Sequence, residues 1–403
     1  YETHAHFVLE ENMAKNPDGV YGLLNQLWGA ALPIAKREAE ALQAMISKEG
    51  GDFELQAWDW WYYAEKLKKE KYALDDEILK PYFELQAVMD GAFEVCTRLY
   101  GITFTELPDA PKYHEDVKVF EVREEDGSMI GVFFCDYFPR ASKRGGAWMG
   151  SFRKQYRDKD GNKVYPLVYN VGNVSKPTGD MPSLLTFDEV NTLFHELGHG
   201  LHGLLSDGTY PGLTGTAVYT DFVELPSQIM EHWATHPEVM KMYARHYKTG
   251  EPIPDELIEK TKKAAKFNQG FFTTEYLAAS ILDMRYHTIS KHYDIDVRKF
   301  EDKAMDSIGL IDEILPRYRS TYFRHIFTSM YAAGYYSYIW AEVLDCDAFQ
   351  AFKENGIFDR QTAKLFRDNI LAKGGSDDPM KLYVQFRGQV PSIQPLFEKR
   401  GLN

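Results

Sequence analysis

The sequence predicts a mainly α-helical fold, a helical bundle with one small antiparallel or mixed β-sheet beside it. Three observations support this prediction. Apolar residues recur at helical spacing over residues 1–112, most clearly at 23–46; apolar and polar residues alternate at strand spacing within 113–175; and helical spacing returns over 176–403. We expect these three stretches to form one cooperative body, although a length of 403 residues alone would allow two or three domains. The sequence contains no internal repeat and no low-complexity tract.

The middle segment carries the turn signals of a small sheet. Residues 117–123 alternate, an Asp-Gly pair at 126–127 is a strong hairpin signal, and residues 129–138 supply the second strand of the predicted hairpin. Another Asp-Gly turn at 160–161 precedes a third strand candidate at 164–171.

An amphipathic helix is predicted to begin after Thr186. Thr186 is a suitable N-cap residue, and Glu189, three positions later, completes a capping box. Val190 and Phe194 begin an apolar face at helical spacing that continues beyond residue 200. The sequence HELGH at 195–199 therefore lies inside a helix.

HELGH matches the HExxH pattern of zinc-binding helices. His195 and His199 are four residues apart and lie on one helix face, so their imidazoles can share a tetrahedral zinc ion, with Glu196 beside them to act on a water molecule. A third protein ligand is required, and Glu224, on a second helix beyond the glycine-rich link at 211–216, is the best candidate. Local sequence alone leaves open that Glu224 is a surface acid.

Composition and charge exclude several classes of partner. The net charge is −14 and no basic patch is visible, which argues against a nucleic-acid or anionic-membrane surface. No apolar run approaches the length that spans a bilayer. Cys96, Cys135 and Cys346 are scattered, which is typical of buried thiols in a reducing compartment. We therefore expect a cytoplasmic protein with no nucleic-acid or membrane partner, although a segment absent upstream of Tyr1 could alter the location. A monomer is the expected state, but the sequence leaves the oligomeric state open.

Six motifs occur in order along the chain: AWDW at 57–60, GGAWMG at 145–150, HELGHGLHG at 195–203, DFVELPSQ at 221–228, EHW at 231–233 and AAGYYSY at 332–338. Together they closely resemble the motifs of the M3 family of zinc metallopeptidases. The resemblance extends along essentially all 403 residues. It implies a zincin-like metallopeptidase catalytic region with the small sheet beside the HExxH helix, one Zn²⁺ per chain, and short peptides as substrates. Full-length family members carry a further helical region ahead of the point where this chain begins, so a catalytic-half fragment is implied.

The resemblance implies a task for each residue of the metal site. His195, His199 and Glu224 would hold Zn²⁺, leaving the fourth position to water. Glu196 would accept a proton from the attacking water and pass it to the leaving amine.

Two acidic residues are candidates for holding the zinc-binding imidazoles in place. Metal-bound imidazoles donate their other N–H to an acceptor, and Asp221 and Glu231 lie on roughly the same helix face as Glu224. Either could equally be solvated. His202, one turn beyond His199, is predicted to pack against its neighbours or to support the ligands rather than to bind zinc.

The edge strand of the sheet is the expected platform for an extended peptide. In the zincin arrangement this strand lies along the cleft and pairs with the substrate backbone. Gly146 and Ala147 are the candidates for this contact, because small residues let a peptide approach closely. From local sequence, Gly145-Gly146 could equally be a turn leading into a buried strand.

A histidine and three tyrosines are implied to face the metal across the cleft. By residue match these are His325, Tyr331, Tyr335 and Tyr338, with Tyr331 and Tyr338 favoured as donors to the oxyanion and Tyr335 as a substrate-binding residue. Without the resemblance, this stretch would be interpreted as a buried aromatic helix. Family members usually have glycines just before the first tyrosine, where this chain has TSM at 328–330, which predicts a less mobile approach to Tyr331.

The closeness of the overall match favours release of C-terminal dipeptides. Such an enzyme must bind a free carboxylate, and Arg317 and Arg319 could supply the planar fork, although pairing with surface acids is an equal alternative. The rivals are an endo-acting oligopeptidase with the same chemistry, a catalytically idle peptide-binding fragment, and a chance HExxH in a structural helical protein.

Overall fold

The computed structural model describes residues 1–292, 294–328 and 331–403. Two residues of the predicted stiff approach to Tyr331, Ser329 and Met330, lie outside these ranges. Within them the chain is mainly helical with a small mixed sheet, so the predicted fold class is confirmed.

Helices occupy most of the chain on both sides of the sheet. In chain order they are α1 (His4–Leu9), α2 (Pro17–Lys48), α3 (Trp60–Tyr72), α4 (Asp76–Leu79), α5 (Leu85–Tyr100), α6 (Phe187–Leu204), α7 (Thr220–Val223), α8 (Leu225–Thr235), α9 (Pro237–Tyr243), α10 (Asp255–Ala264), α11 (Gln269–His287), α12 (Val297–Ser307), α13 (Arg324–Thr328), α14 (Ser337–Asn355), α15 (Arg360–Phe366), α16 (Pro379–Arg387) and α17 (Gln394–Arg400). None of these described helices combines the length and the apolar content that crossing a bilayer requires.

The strands form one five-stranded sheet and a separate two-stranded ribbon. They are β1 (Thr103–Glu106), β2 (Lys118–Arg123), β3 (Met129–Asp136), β4 (Trp148–Arg153), β5 (Tyr156–Arg157), β6 (Lys163–Val164) and β7 (Leu167–Val171). The sheet order is β1-β2-β3-β7-β4, with β3 and β7 parallel and the other neighbours antiparallel, while β5 pairs with β6. β4 is therefore an edge strand.

The turn signals in the sequence correspond to real turns. β2 and β3 form the predicted hairpin, and its glycine, Gly127, has φ 83°. Gly161, between β5 and β6, has φ 84°. Both glycines adopt a left-handed conformation that other residues rarely take. β1 lies in the stretch predicted to be helical, because Gly101, with φ 72°, ends α5 and the next residues pair with β2.

Helix α6 begins as the sequence predicts. Thr186 is the N-cap, its side chain accepts the N–H of Glu189, and the Glu189 carboxylate accepts the N–H of Thr186. The helix packs with one face on the sheet and another on α8. Gly203 lies over the sheet, where an added Cβ would come within 3.0 Å of Val168.

The core lies around α6 and α14. Buried side chains of α6, including Phe194 and Leu201, join Phe133 and Val168 of the sheet and Trp233 of α8 in the largest apolar cluster. A second cluster connects α2, α11 and α14. Because α14 contributes to both clusters, it ties the two helical layers together.

Gly198→Ala should destabilise the chain, because a Cβ there would lie 2.1 Å from the Pro226 carbonyl oxygen and 2.6 Å from the Ser227 Cα of α8. We expect a loss of about 1–3 kcal/mol in the free energy of unfolding, measured by denaturant titration. Gly29→Ala in α2 is the matched control, because nothing lies within 4 Å of the added Cβ. It should gain about 0.5–1 kcal/mol from helix propensity. Equal effects at the two positions would contradict a packing role for Gly198.

Candidate metal centre

Two helices bring the three predicted metal ligands together. His195 and His199 project from one face of α6, with ring centroids 5.0 Å apart and ring planes at 84°. The Oε2 atom of Glu224 lies 3.3 Å from His195 Nε2 and 3.1 Å from His199 Nε2. Two imidazole nitrogens and one carboxylate oxygen thus converge on one point, a donor set suited to a divalent metal ion.

Glu224 lies at a break between two helices rather than within one. It ends α7 and caps α8, whose first turn contains Pro226. The Ser227 hydroxyl donates to Glu224 Oε2 at 2.9 Å and to the Glu224 carbonyl oxygen at 2.8 Å. The local turn therefore directs the carboxylate towards α6, which approaches α8 closely at Gly198.

The charges of the three groups depend on one another. Burial disfavours the charged form of His195, but hydrogen bonds to Glu224 and Glu231 outweigh it and raise the pKa of the imidazole well above its usual value. Burial likewise opposes ionisation of Glu224, yet the charge of His199 and hydrogen bonds from both histidines hold its pKa well below the usual range. The cluster therefore carries protons that a metal ion would replace.

Of the two acidic residues proposed to hold the imidazoles, only Glu231 contacts one. Its Oε1 atom lies 2.7 Å from His195 Nδ1, and Asn191 donates to its other oxygen at 2.9 Å. Asp221 instead accepts the backbone N–H groups of Met13 and Ala14, both at 3.0 Å, and the hydroxyl of Tyr336 at 2.7 Å. Asp221 therefore anchors the N-terminal segment rather than an imidazole.

Glu196 is buried beside the ligands with an oxygen that is not satisfied by the protein. The side chain is 6% exposed, and Oε2 has no hydrogen-bond partner within the described part of the chain. Burial raises the pKa of the Glu196 carboxyl, against the lowering effect of His195 and His199. Glu196 and the three ligands line one cleft of about 490 Å³. A carboxylate in this position is suited to hold and transfer a proton.

Two of the predicted tyrosines line the same cleft. Tyr331 and Tyr338 stack with ring centroids 5.1 Å apart, and the Tyr331 hydroxyl donates to Glu224 Oε1 at 3.1 Å. Burial, reinforced by the charge of Glu224, raises the pKa of both phenols. Both phenols therefore keep their protons near neutral pH, and each has a single O–H to donate, which in Tyr331 goes to Glu224.

His325 and Tyr335 line a neighbouring cavity of about 290 Å³ that meets the cleft at Tyr338. Burial and the nearby Arg317 lower the pKa of His325, which favours a neutral ring. Arg317 lines the same cavity, and its guanidinium donates to Glu275 at 3.2 Å. The four aromatic residues implied by resemblance thus divide into two pairs in adjoining cavities.

Arg319 does not reach either cavity. Its guanidinium pairs with Glu301 of α12 and lies 3.8 Å from Asp302. The Glu301 carboxylate also accepts the N–H and hydroxyl of Ser320, both at 2.7 Å. Arg319 is therefore paired with acidic neighbours, as the alternative interpretation of the sequence had it.

The segment at Gly146 and Ala147 is a turn and also lines the cleft, so it has features of both alternatives considered from the sequence. Gly146 has φ 86°, and Asn173 donates to its carbonyl oxygen at 2.7 Å, so it forms a turn. Ala147, immediately before β4, lines the cleft and also a third cavity of about 310 Å³ that contains Glu196. The turn therefore leads into the edge strand, and that strand borders the cleft.

Sequence reasoning assigned no role to several residues at the site. Gln228, within the motif at 221–228, donates to the Tyr338 carbonyl oxygen at 3.0 Å and so ties α8 to α14. Tyr137 lines the third cavity beside Glu196. Tyr137 lies one residue before the end of the strand predicted at 129–138, and no pattern distinguishes it. Gln228 lies one helical turn after Glu224 and could have been found from that spacing.

A second group of metal-type side chains lies elsewhere in the fold. One potential ligand atom each from His232, Asp345 and Cys346 lies within 4.8 Å of the others. Burial raises the pKa of the Asp345 carboxyl and the Cys346 thiol, and Lys399, whose charge acts on both, is 3.2 Å from Glu342. Asp345 Oδ1 already lies 2.5 Å from His232 Nε2, and the Lys399 ammonium is close by, so we assign no metal ion to this cluster.

His202 should make the metal-free chain lose stability as the pH falls. The ring is fully buried, and burial lowers its pKa to about 3, whereas the unfolded chain titrates near its usual value of about 6.5. Between these values the unfolded state binds one more proton, so this residue contributes up to about 1.4 kcal/mol per pH unit to the slope.

The slope can be measured by urea titration of the chelator-treated protein at several pH values. His202→Gln should flatten the pH dependence between pH 7 and 5. Above pH 7 the two proteins should run parallel, because the ring is neutral in both states there. Parallel behaviour over the whole range would contradict the assignment.

Known proteins of similar sequence are peptidases. A dipeptidyl carboxypeptidase of Escherichia coli K12 is 45% identical over 403 residues, a match that covers 99% of this chain and 59% of the relative. Oligopeptidase A of the same organism is 41% identical over 408 residues, with 100% and 59% covered. The chain therefore spans 59% of the length of these relatives.

Fold and family comparisons agree with the motifs. The solved structure of an M32 carboxypeptidase from Deinococcus radiodurans R1 matches with a TM-score of 0.57 at 14% identity, covering 100% of this chain and 70% of that one, which shows a shared fold. The sequence model of peptidase family M3 matches residues 1–402. The resemblance inferred from the motifs is confirmed, and the chain belongs to peptidase family M3.

Proposed function

We propose that this chain is the catalytic region of a zinc-dependent peptidase that hydrolyses short, unstructured peptides and releases dipeptides from their C-termini. One observation carries the proposal. The convergent donor atoms of His195, His199 and Glu224 share a cleft with the buried, incompletely satisfied carboxylate of Glu196. Family membership supports the metal-dependent peptidase chemistry, and the name of the 45% identical relative supports the release of dipeptides.

The residues present fit a zinc ion. Zinc prefers imidazole nitrogen and carboxylate oxygen, and sites that do chemistry usually have three protein ligands. The three donor atoms already face one another at 3.1 and 3.3 Å, and Glu231 orients one imidazole from behind. A zinc ion held there would acidify a water molecule and polarise a carbonyl group.

Glu196 supplies the proton transfers. Its carboxylate lies in the cleft beside the ligands and keeps one oxygen without a protein partner, which leaves that oxygen available for water. It accepts a proton as the water attacks the peptide carbonyl and later gives the proton to the leaving amine. Burial excludes bulk water, which would otherwise compete for these transfers.

Tyr331 and Tyr338 stabilise the negative charge that develops on the carbonyl oxygen. Both phenols line the cleft that contains Glu196. The single O–H of Tyr331 is donated to Glu224 Oε1 in this structure, so Tyr331 serves the oxyanion only when the substrate oxygen replaces Glu224 as its acceptor. Donors held in place around a developing oxyanion provide much of the transition-state stabilisation in peptide hydrolysis.

An extended peptide has a backbone partner and a carboxylate partner in this cleft. β4 is an edge strand with N–H and C=O groups available on its outer side, next to Ala147. The adjoining cavity contains Arg317 and the neutral donors His325 and Tyr335. A planar guanidinium there is suited to a terminal carboxylate, and this is the physical support for exo cleavage.

An endo-acting oligopeptidase is the second candidate function. Oligopeptidase A is 41% identical to this chain, only slightly less than the dipeptidyl carboxypeptidase. The Arg317 guanidinium already donates to Glu275, and an enzyme that cuts within a peptide would leave that pair undisturbed. The two functions differ in whether a free substrate carboxylate is needed.

Glu231→Gln should weaken zinc binding about 10–100-fold, because it removes the charged partner of His195 Nδ1. The affinity can be measured by competition with a chromophoric chelator. Glu238→Gln on α9 is the matched control and should leave the affinity unchanged, because Glu238 lies outside the metal site. An unchanged affinity in Glu231→Gln would show that Glu231 does not support the imidazole.

Mass spectrometry of a hexapeptide incubated with the zinc-loaded chain tests the proposed function. A free hexapeptide should lose its C-terminal dipeptide, and the same peptide with an amidated C-terminus should not. Glu196→Gln should bind one zinc ion per chain and release no product, because the amide cannot accept the proton. Glu259→Gln, on the exposed side of α10, should behave as the unaltered chain does.

Each other outcome of the hexapeptide experiment selects a different function. Cleavage of both the free and the amidated peptide would support the endo-acting oligopeptidase. Bound zinc and bound peptide without product would identify a peptide-binding fragment that needs more of the relatives' length for catalysis. A chain that binds no zinc would refute the proposal.

A further inference from the structure

The segment that carries the cleft tyrosines, residues 331–338, has an unusual backbone. Ala333 has φ 53°, a left-handed conformation that is unfavourable for a residue with a Cβ. Backbone N–H groups near a left-handed residue turn towards one side and form a concavity that binds anions. Such a conformation persists only where its surroundings hold it in place.

The anion that fills this concavity is Asp283 of α11. Its Oδ1 atom accepts the N–H of Ala333 and its Oδ2 atom accepts the N–H of Tyr335, both at 2.9 Å. His287, one turn further along α11, has its Nδ1 atom 2.7 Å from Oδ1. Asp283 is fully buried, so these three contacts take the place of water around its charge.

Helix α11 also holds the same segment through Tyr276. The hydroxyl of Tyr276 donates to the carbonyl oxygen of Tyr335, and the two rings stack at 5.0 Å. Since Tyr331 lies two residues before Ala333 and Tyr338 three residues after Tyr335, the backbone between them determines where both phenols point. The hydrogen bonds that these α11 residues make go to the segment and to one another, rather than to a metal ligand.

We propose that Asp283 is a positioning residue whose buried carboxylate fixes the backbone of residues 331–338 and thereby the direction of Tyr331 and Tyr338. This inference rests on the proposed function, because it assigns the residue a role in stabilising the oxyanion in the same cleft. Asp283 touches neither metal nor substrate. Its effect passes through the segment, so it should change transition-state binding strongly and leave the stoichiometry of metal binding intact.

Asp283→Asn tests the inference, because an amide of the same size offers a single acceptor oxygen to two N–H donors. In the 403-residue chain, we expect hydrogen exchange of the Ala333 and Tyr335 amides to accelerate at least tenfold. Affinity for a phosphinic tetrapeptide, which mimics the tetrahedral intermediate, should fall at least tenfold. Zinc stoichiometry and the affinity for acetohydroxamate, which reaches only the metal, should change less than twofold. The kcat for peptide hydrolysis should fall more than KM rises.

Glu38→Gln is the matched control. The Glu38 carboxylate also accepts two backbone N–H groups, those of Gly270 at 3.1 Å and Phe271 at 2.7 Å, at the opposite end of α11. Its loss removes a similar pair of contacts without touching residues 331–338. All of the measured quantities should stay within twofold of the unaltered chain.

Unchanged amide exchange and unchanged phosphinic affinity in a folded Asp283→Asn chain would overturn the inference. If that variant does not fold, Tyr276→Phe removes only the hydroxyl contact to the same segment and should shift both quantities in the same direction. No shift there would also overturn it. If the unaltered chain binds neither zinc nor acetohydroxamate, the proposed function fails, and amide exchange alone decides whether Asp283 fixes the segment.

Discussion

The close approach of α6 and α8 is the contact on which the site depends. Gly198 presents no side chain to α8, so the backbone at Pro226 and Ser227 can lie directly against α6. This brings Glu224, at the start of α8, level with the two histidines one turn apart on α6. The spacing of the donor atoms is thus set by helix packing rather than by long side chains reaching across a gap. Rigid placement of this kind is what a site must have to hold a fixed geometry.

The same packing produces the electrostatics of the cleft. Three carboxylates lie close to only two imidazoles, and these groups are partly or fully buried. The carboxylates are those of Glu196, Glu224 and Glu231. Negative charge in such a place requires compensation, since an isolated buried carboxylate is costly. In the metal-free chain, a proton on His195, whose pKa is raised, supplies part of it. A divalent cation would compensate more of this negative charge, and its binding would release protons from the site.

The features that depend on residues close together in the sequence could be predicted from the sequence. The capping box and apolar face of α6, the HExxH spacing and the Asp-Gly hairpin all depend on residues within a few positions of one another, and all appear in the structure. The rest depends on partners distant in sequence. Asp221 differs from Glu231 because residues 13 and 14 reach it, and Arg319 is held by Glu301 of α12. Asp283 has no pattern of its own, because its role arises from the backbone fifty residues away that packs against it.

One carboxylate connects the imidazoles with a tyrosine of the cleft. Oε2 of Glu224 faces the imidazoles, while Oε1 accepts the hydroxyl of Tyr331. Because Glu224 contacts both the imidazoles and Tyr331, metal binding at the first and ligand binding at the second can affect each other, and such coupling is reciprocal by thermodynamic necessity. A ligand that moves Tyr331 and so changes the affinity for a metal ion must itself bind with an affinity that the ion changes by the same factor. One coupling free energy would then describe both how a cleft ligand affects metal retention and how the metal affects occupancy of the cleft.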